Sequence, residues 1–157
     1  MTFIDKEPVK RVEKIIKEFD ENLSVSVLKT SARTALEAAS SLNCDVGAIV
    51  KSLLFKTDNK FCLFLIAGDK KASLKKIKKN IKFSDVSMAS ADEVKSITGY
   101  TIGGVSPVGH INDVDIYIDN SLERFNFLFA AAGHPNCIFK ISFLNLKKIT
   151  KGVIEDI

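Results

Sequence analysis

Residues 48–67 read AIVKSLLFKTDNKFCLFLIA, and this stretch decides the fold. It predicts two strands, Ala48–Lys56 and Lys60–Ala67, joined by a tight turn at Asp58-Asn59. Both faces of Phe61–Ala67 are apolar, which is typical of a strand covered on both sides, so this strand belongs at the centre of a sheet. The chain is therefore expected to be built around a buried β-hairpin.

Helical patterns flank this hairpin. Apolar residues at helical spacing predict a first helix from about Lys6 to Asp20, and the pairs Thr34/Glu37 and Ser90/Glu93 are capping boxes that begin two more. Shorter elements are predicted as strands at 24–29, 114–118, 127–132 and 138–142, and as a last helix at 143–149. Because strands and helices do not alternate strictly, we expect a mixed α/β (α+β) fold: a mixed, mostly antiparallel sheet with helices packed around it, in one domain over residues 1–157.

Length and composition exclude several classes of protein. The chain has 157 residues, of which 46% are hydrophobic and 27% charged, as in an ordinary globular domain. No apolar run approaches the roughly 18 residues of a membrane span, so no membrane association is expected. The three cysteines form no Cys-x-x-Cys pair and only two histidines are present, so we expect no metal site, no cofactor and a reduced, cytoplasmic compartment.

The positive charge is concentrated in one block. The net charge is +4, yet residues 70–82 (KKASLKKIKKNIK) hold seven lysines and no acid, which leaves 16 basic against 19 acidic residues elsewhere. Leu74, Ile77 and Ile81 lie at helical spacing and would face the core. A solvated helix face would explain such a block; so would a surface that binds RNA phosphates, for which the candidates are Lys70, Lys71, Lys75, Lys76 and Lys79.

Lys51 is the clearest local anomaly. Side chains alternate along a strand, so Lys51 shares a face with Ile49, Leu53 and Phe55 and is the only charge there. An ammonium group in such a place needs a partner, a path to solvent or an anionic ligand. It is therefore either a strand-edge lysine that reaches water, or a lysine at the mouth of a pocket that meets a phosphate or carbonyl oxygen.

Two loops are further candidates. Residues 103–110 (GGVSPVGH) hold three glycines and a proline, which permits unusual turns and exposes main-chain groups to a ligand; a plain structural turn is the alternative. Residues 133–136 carry His134, which either lines a pocket or is simply solvated. No nucleophile motif such as Gly-x-Ser-x-Gly is present, so an enzyme of this sequence would act by positioning and electrostatics.

Together these segments resemble the YbaK/prolyl-tRNA synthetase-associated editing-domain family, the free-standing aminoacyl-tRNA deacylases. Each motif is weak by itself, but their order and spacing are specific, and the resemblance covers nearly the whole chain. The Asn43-Cys44 pair departs from the family pattern, in which many members have a glycine. The motifs that carry the resemblance are SARTALEAA (31–39), IVKSLLF (49–55), AGD (67–69), GYTIGGVSPVGH (99–110), IDNSL (118–122) and AAGHPN (131–136).

The resemblance implies a trans-editing hydrolase that removes a wrong amino acid from the 3′ end of a tRNA. A positioned water, assisted by the ribose hydroxyl of the substrate, would attack the ester without a covalent intermediate. Lys51 matches the family's signature lysine, which holds the terminal adenosine, and Gly103–Pro107 matches its Gly-x-x-x-Pro loop. The expected catalytic residues are Lys51, Gly103 and Gly104, and the expected substrate-binding residues are Ser52, Val105, Ser106, Pro107 and His134.

The expected partners are the aminoacylated 3′ end of tRNA and an aminoacyl-tRNA synthetase. Two other functions remain open from the residues alone. One is a non-catalytic tRNA-binding or synthetase-associated module, which the lysine block favours. The other is a nucleotide-binding protein that uses the loop at 103–109. Neither the edited amino acid nor the tRNA is specified by the motifs.

Overall fold

The central hairpin forms as the sequence predicts. The computed structural model describes residues 2–30 and 32–157; Met1 and Ser31, the first residue of the motif at 31–39, lie outside the described residues. The helices are α1 (Glu7–Phe19), α2 (Ala35–Leu42), α3 (Leu74–Ile81), α4 (Ala91–Thr98) and α5 (Phe143–Thr150). The strands are β1 (Val25–Val27), β2 (Ile49–Thr57), β3 (Lys60–Ala67), β4 (Val86–Met88), β5 (Asp115–Asp119), β6 (Leu128–Ala131), β7 (Cys137–Ile141) and β8 (Val153–Glu155).

All eight strands form one mixed sheet in the order β1-β7-β6-β2-β3-β5-β8, and β4 also pairs with β2. The pairs β1–β7, β2–β3, β2–β4 and β6–β7 are antiparallel, whereas β2–β6, β3–β5 and β5–β8 are parallel. β3 lies inside the sheet, between β2 and β5. The expected mixed, mostly antiparallel sheet with a central Phe61–Ala67 strand is therefore confirmed.

Alternation along β2 and β3 sends side chains to two apolar layers. On one face Leu54 and Leu65 pack with α1, α4 and α5, which contribute Val12, Val94 and Leu146. On the other face α3 packs over Phe55 and Phe64 through Ile77, and α2 packs over Ile49 through Ala38 and Ala39. Since α2 and α3 cover different ends of β2, the middle of this strand is covered by neither helix.

The structure also contains the side-chain caps that were predicted to begin α2 and α4. The Thr34 hydroxyl accepts a hydrogen bond from the Glu37 N–H at 3.1 Å, and Ser90 and Glu93 form a complete capping box. Glu37 differs from the expected pattern, because its carboxylate accepts from the N–H of Arg33. Within the described residues, no helix combines the length and apolar character needed to cross a bilayer.

The sequence prediction omitted the two strands β4 and β8. Each has only three residues, too few for a period-two pattern to be recognised. Both owe their strand conformation to a neighbour: β4 pairs with the end of β2, and β8 pairs with β5. Tertiary pairing rather than local propensity specifies them.

Candidate active site

The candidate site lies where β2 and β6 separate. Their parallel pairing covers only Ile49 opposite Phe129 and Val50 opposite Ala130, and on the same edge of β2 the pairing with β4 begins at Phe55. Among the described residues, no strand occupies the edge between these two stretches. Ligands commonly bind beyond the carboxyl ends of parallel strands, where neighbouring connections diverge.

A cavity of about 510 Å³ occupies this opening. Its walls come from the middle of β2, the start of α2, the loop at 102–105 and the ends of β6 and β7, and most of the lining is apolar. The lining residues include the predicted Lys51, Ser52, Gly103 and Val105. The structure thus brings the signature lysine and the glycine-rich loop, separated by about fifty residues in sequence, around one cavity.

Lys51 is half-buried at the wall of the cavity, and its Nζ donates a hydrogen bond to the main-chain carbonyl oxygen of Lys70. Burial lowers the pKa of Lys51; the nearby Asp69 carboxylate opposes this shift and Lys71 adds to it. Asp69 is itself engaged, because Arg124 binds both of its carboxylate oxygens at 2.8 and 2.9 Å. Lys51 is thus oriented by a neutral oxygen and forms no ion pair among the described residues, which leaves its Nζ for an anionic or carbonyl ligand.

Ser52 adds unpaired polar groups beside this lysine. Its Oγ is buried and has no hydrogen-bond partner among the described residues. Main-chain groups alternate between the two edges of a strand, so residues two apart direct their peptide groups to the same edge. Leu54 O accepts from Ala89 N on the β4 side at 3.1 Å. The peptide groups of Ser52 therefore face this edge too, and no described strand pairs with them there. The unpaired peptide groups at this edge are suited to bind a polar ligand, whereas strand alternation directs the Ser52 side chain to the opposite face from Lys51.

The two glycines of the loop have different roles. Gly103 lines the cavity with φ at +92°, in the left-handed region that favours glycine. Gly104 lies against the chain at residues 133–134: its carbonyl accepts from Gly133 N at 3.0 Å, and a Cβ on it would be 2.9 Å from His134 Cα. Only glycine lets these two loops approach so closely.

A second layer of residues fixes the far end of this loop. The Tyr100 hydroxyl lies 2.7 Å from Val108 O and 3.0 Å from Gly109 O, and Arg11 Nε donates to Gly109 O at 2.7 Å. His110 Nε2 is 2.7 Å from Ser106 O, so this nitrogen carries the proton and donates. The sequence patterns do not predict that Arg11 or Tyr100 holds the loop, because the loop atoms they contact are main-chain carbonyls, which leave no residue pattern.

The other expected substrate-binding residues lie outside the cavity lining. Ser106 and Pro107 are buried, and the Ser106 hydroxyl accepts from Val108 N. These two residues therefore support the conformation of the loop from its buried side. His134 Nδ1 accepts from Asn136 N at 3.0 Å, and its ring packs on Phe3 with centroids 4.3 Å apart. His134 neighbours Pro135, which does line the cavity, so it adjoins the wall without forming it.

The cavity also has lining residues that the sequence patterns do not single out. Arg33 lies at the start of α2, and Phe129 and Ile138 come from the neighbouring strands. Arg33 belongs to the motif at 31–39 and is one of only three arginines in the sequence. Its rarity and its place in a motif are the signals by which the sequence could have indicated it. Phe129 and Ile138 reach the cavity only because of the order of the strands in the sheet, and sequence patterns do not determine that order.

The lysine block is exposed along α3, and two of its lysines have acidic partners. Lys70 Nζ lies 3.8 Å from the fully buried Asp119, and Lys76 Nζ lies 3.0 Å from Asp156. Lys71, Lys75 and Lys79 are exposed. Across residues 2–30 and 32–157, no group of three His, Cys, Asp or Glu side chains could hold a metal ion; the expectation of metal-independent chemistry stays a prediction.

The structure defines a mixed α/β domain with a lysine and a glycine-rich loop around one cavity, and sequence comparison identifies its family. The family of the aminoacyl-tRNA editing domain matches residues 29–149. The chain belongs to this family, which confirms the resemblance carried by its motifs. The fold agrees: a crystal structure of a proposed trans-editing enzyme for prolyl tRNA synthetase superposes with a TM-score of 0.90 and 33% identity, covering 96% of each chain.

Curated relatives are of two kinds. Proline–tRNA ligase from Macrococcus caseolyticus is 36% identical over 120 residues, which cover 76% of this chain and 21% of the ligase. The uncharacterised protein YwhH of Bacillus subtilis is 35% identical over 119 residues, 75% of each chain. The chain thus spans about a fifth of the proline–tRNA ligases that it matches and most of YwhH.

Proposed function

We propose that this protein hydrolyses the ester bond of mischarged aminoacyl-tRNA, acting in trans on tRNA that a synthetase has released. The observation that carries the proposal is Lys51: an ammonium group at a cavity wall, held by a neutral carbonyl oxygen, while the nearby carboxylate of Asp69 is bound by Arg124. This is the group needed to hold a phosphate or a polarised carbonyl oxygen at the 3′ end. Membership of the editing-domain family supports the same reaction.

The reaction needs no covalent intermediate. The lining of the cavity includes no His, Cys, Asp or Glu among the described residues, and the Ser52 hydroxyl has no hydrogen-bonded base there to activate it. A bound water would attack the ester carbonyl carbon, and the ribose oxygen would leave with a proton. The products are a free amino acid and a tRNA with its 3′-terminal hydroxyl restored.

In this proposal the residues of the cavity bind and orient the substrate. Lys51 holds the terminal nucleotide, and the main-chain groups of Ser52 and Gly103 donate to or accept from the aminoacyl group. The apolar walls favour an uncharged aminoacyl side chain, because a charged one would lose its hydration there. The proline–tRNA ligases among the relatives make tRNA for proline the first candidate, with the synthetase as a partner in the cytoplasm.

The test is a panel of correctly and incorrectly charged tRNAs, with release of the amino acid followed over time. The wild type is expected to hydrolyse at least one mischarged tRNA, and Lys51→Ala to lose a factor on the order of 10²–10³ in rate, as for removal of one charge-stabilising donor. Lys56→Ala is the matched control, since Lys56 lies on the same strand, is exposed and lies 3.9 Å from the Glu93 carboxylate. Absence of hydrolysis above buffer across the panel would refute the proposal.

The second candidate, a non-catalytic tRNA-binding module, is favoured by the exposed lysines of α3. It predicts that tRNA binds while no ester is hydrolysed, and that Lys51→Ala leaves binding unchanged. The panel therefore separates the two functions with the same two variants.

A further inference from the structure

A basic surface begins at the cavity and continues along α3. Gly68 lines the cavity, Lys70 holds Lys51 through its carbonyl oxygen, and Ser73 caps α3, which begins at Leu74. Four residues of extended chain span at most about 14 Å, and the eight residues of α3 extend about 12 Å further. The far end of the helix therefore lies within about 26 Å of the Lys70 main chain, which the Lys51 ammonium group contacts.

The outer face of this helix carries uncompensated charge. Lys75, Lys78 and Lys79 are exposed and stand at positions i, i+3 and i+4, on one side of the helix. The ion pairs found among the described residues include Lys70 and Lys76 but none of these three. The buried Ile77 fixes the opposite side of α3 against the sheet, so the three ammonium groups point away from the protein together.

The stability of the helix does not explain this arrangement. The first turn contains Lys75 and Lys76 and no acidic residue, which opposes the helix dipole. Lysines at i and i+4, such as Lys75 and Lys79, repel each other, which weakens the helix further. Only the two lysines of the last turn are favourably placed. Lys75 thus opposes the dipole, and its repulsion with Lys79 offsets part of the gain at the last turn, so helix stability alone does not account for the lysine face.

We propose that the lysine face of α3, formed by Lys75, Lys78 and Lys79, binds the phosphate backbone of the tRNA whose 3′ end occupies the cavity. This inference rests on the proposed function. A nucleic acid strand carries one charge about every 3.4 Å, so a helix about 12 Å long faces three to four phosphates. The surface supplies the binding energy along the acceptor strand, and the cavity supplies the chemistry at its end.

The experiment compares two triple variants of equal charge change. Lys75→Gln/Lys78→Gln/Lys79→Gln removes the lysine face, and Lys10→Gln/Lys14→Gln/Lys17→Gln removes three exposed lysines of α1, on the other side of the sheet. Binding of uncharged tRNA is measured between about 50 and 300 mM KCl. The α3 variant should raise Kd at least about tenfold and reduce the log–log salt slope by about 2–3, at roughly 0.7–0.9 for each lost phosphate contact. The α1 variant should stay within about twofold of the wild type.

Kinetics on a mischarged substrate give a second measurement: the α3 variant should raise KM and leave kcat unchanged. Equal weakening by both triple variants, or no change in the α3 variant, would overturn the inference while leaving the hydrolase proposal standing. Conversely, α3-dependent tRNA binding with no hydrolysis by the wild type would support the surface and refute the proposed reaction. Binding of polyglutamate is measured as well. If polyglutamate of equal charge binds the α3 face as tightly as tRNA does, the face is a binding surface for acidic proteins and the inference is overturned.

Discussion

Lys51 Nζ donates a hydrogen bond to the carbonyl oxygen of Lys70, 19 residues later in the chain. The β2–β3 hairpin creates this contact: Lys51 pairs with Ile66 across the hairpin, and the chain that leaves β3 at Ala67 turns back over it, closed by the Lys70 N–H bonded to Ala67 O. The Nζ of Lys51 is thereby fixed in direction by a neutral oxygen. This arrangement and the residues that support it can be tested in four ways.

The first prediction concerns the pKa of Lys51. Burial should place it below the ordinary value of 10.5, and Asp69 opposes this shift, so Asp69→Asn should lower the pKa further. Because the folded protein then loses this proton before the unfolded chain does, stability should rise with pH between the folded pKa and 10.5. Titration of the lysine ε-carbon signals by NMR, assigned with Lys51→Met, measures it. A Lys51 signal that titrates together with the exposed lysines would contradict the prediction.

The second prediction concerns the support of Lys70. Asp119 is fully buried, accepts from the Ser121 hydroxyl and lies 3.8 Å from Lys70 Nζ. A double-mutant cycle of Asp119→Asn and Lys70→Met should show a coupling of about 1 kcal/mol in urea unfolding. If Lys70 positions Lys51, Asp119→Asn should also lower kcat more than it changes KM. Additive single effects with unchanged kinetics would argue against this role.

The third prediction concerns pH and Tyr100. Burial raises the pKa of Tyr100 from 10.0 to about 12. Between these two values the unfolded chain therefore loses the phenolic proton while the folded protein keeps it, so stability is full below the lower value and declines as the pH rises. Tyr100→Phe should abolish that part of the decline. It should also cost about 1–3 kcal/mol at neutral pH, because Val108 O loses its hydroxyl donor and Gly109 O keeps only Arg11 Nε.

Urea unfolding at a series of pH values from neutral to about 11 provides the measurement for Tyr100. Tyr117→Phe is the control for the cost at neutral pH, since Tyr117 lies on β5, away from the glycine-rich loop; burial also raises the pKa of Tyr117, so the pH effect is read from Tyr100→Phe against the wild type. Parallel stability–pH curves for Tyr100→Phe and the wild type would show that the hydroxyl does not hold the loop as described.

The fourth prediction concerns Gly104. Gly104→Ala would place a Cβ 2.9 Å from His134 Cα and 3.0 Å from His134 N, and neither main-chain atom can move cheaply. Destabilisation of about 1–3 kcal/mol is expected, together with loss of activity as the loops separate. Ile102→Ala, two residues earlier and exposed, should leave stability within about 0.5 kcal/mol. Equal melting temperatures for wild type and Gly104→Ala would refute the close approach.

Local patterns predicted most of the regular structure. The apolar stripe of α1, the Ser90/Glu93 capping box and the Asp58-Asn59 turn act over a few residues, and each element forms where its pattern indicates. The prediction was weakest for β4 and β8, which are strands only because a longer strand pairs with them. Lys51 is conspicuous in the sequence by itself, because a charge on an apolar face violates a local rule.

The sequence alone determined the hairpin, the helices, the family and the lysine at the centre of the proposed chemistry, since these depend on side-chain type and spacing over short distances. Tertiary structure alone decided the position of the cavity at the separation of β2 and β6. It also decided that Lys51 meets a carbonyl oxygen rather than a carboxylate, and that Tyr100 and Arg11 hold the loop. Those features join residues that are distant in sequence through main-chain atoms, which every residue carries and no pattern of side chains can reveal.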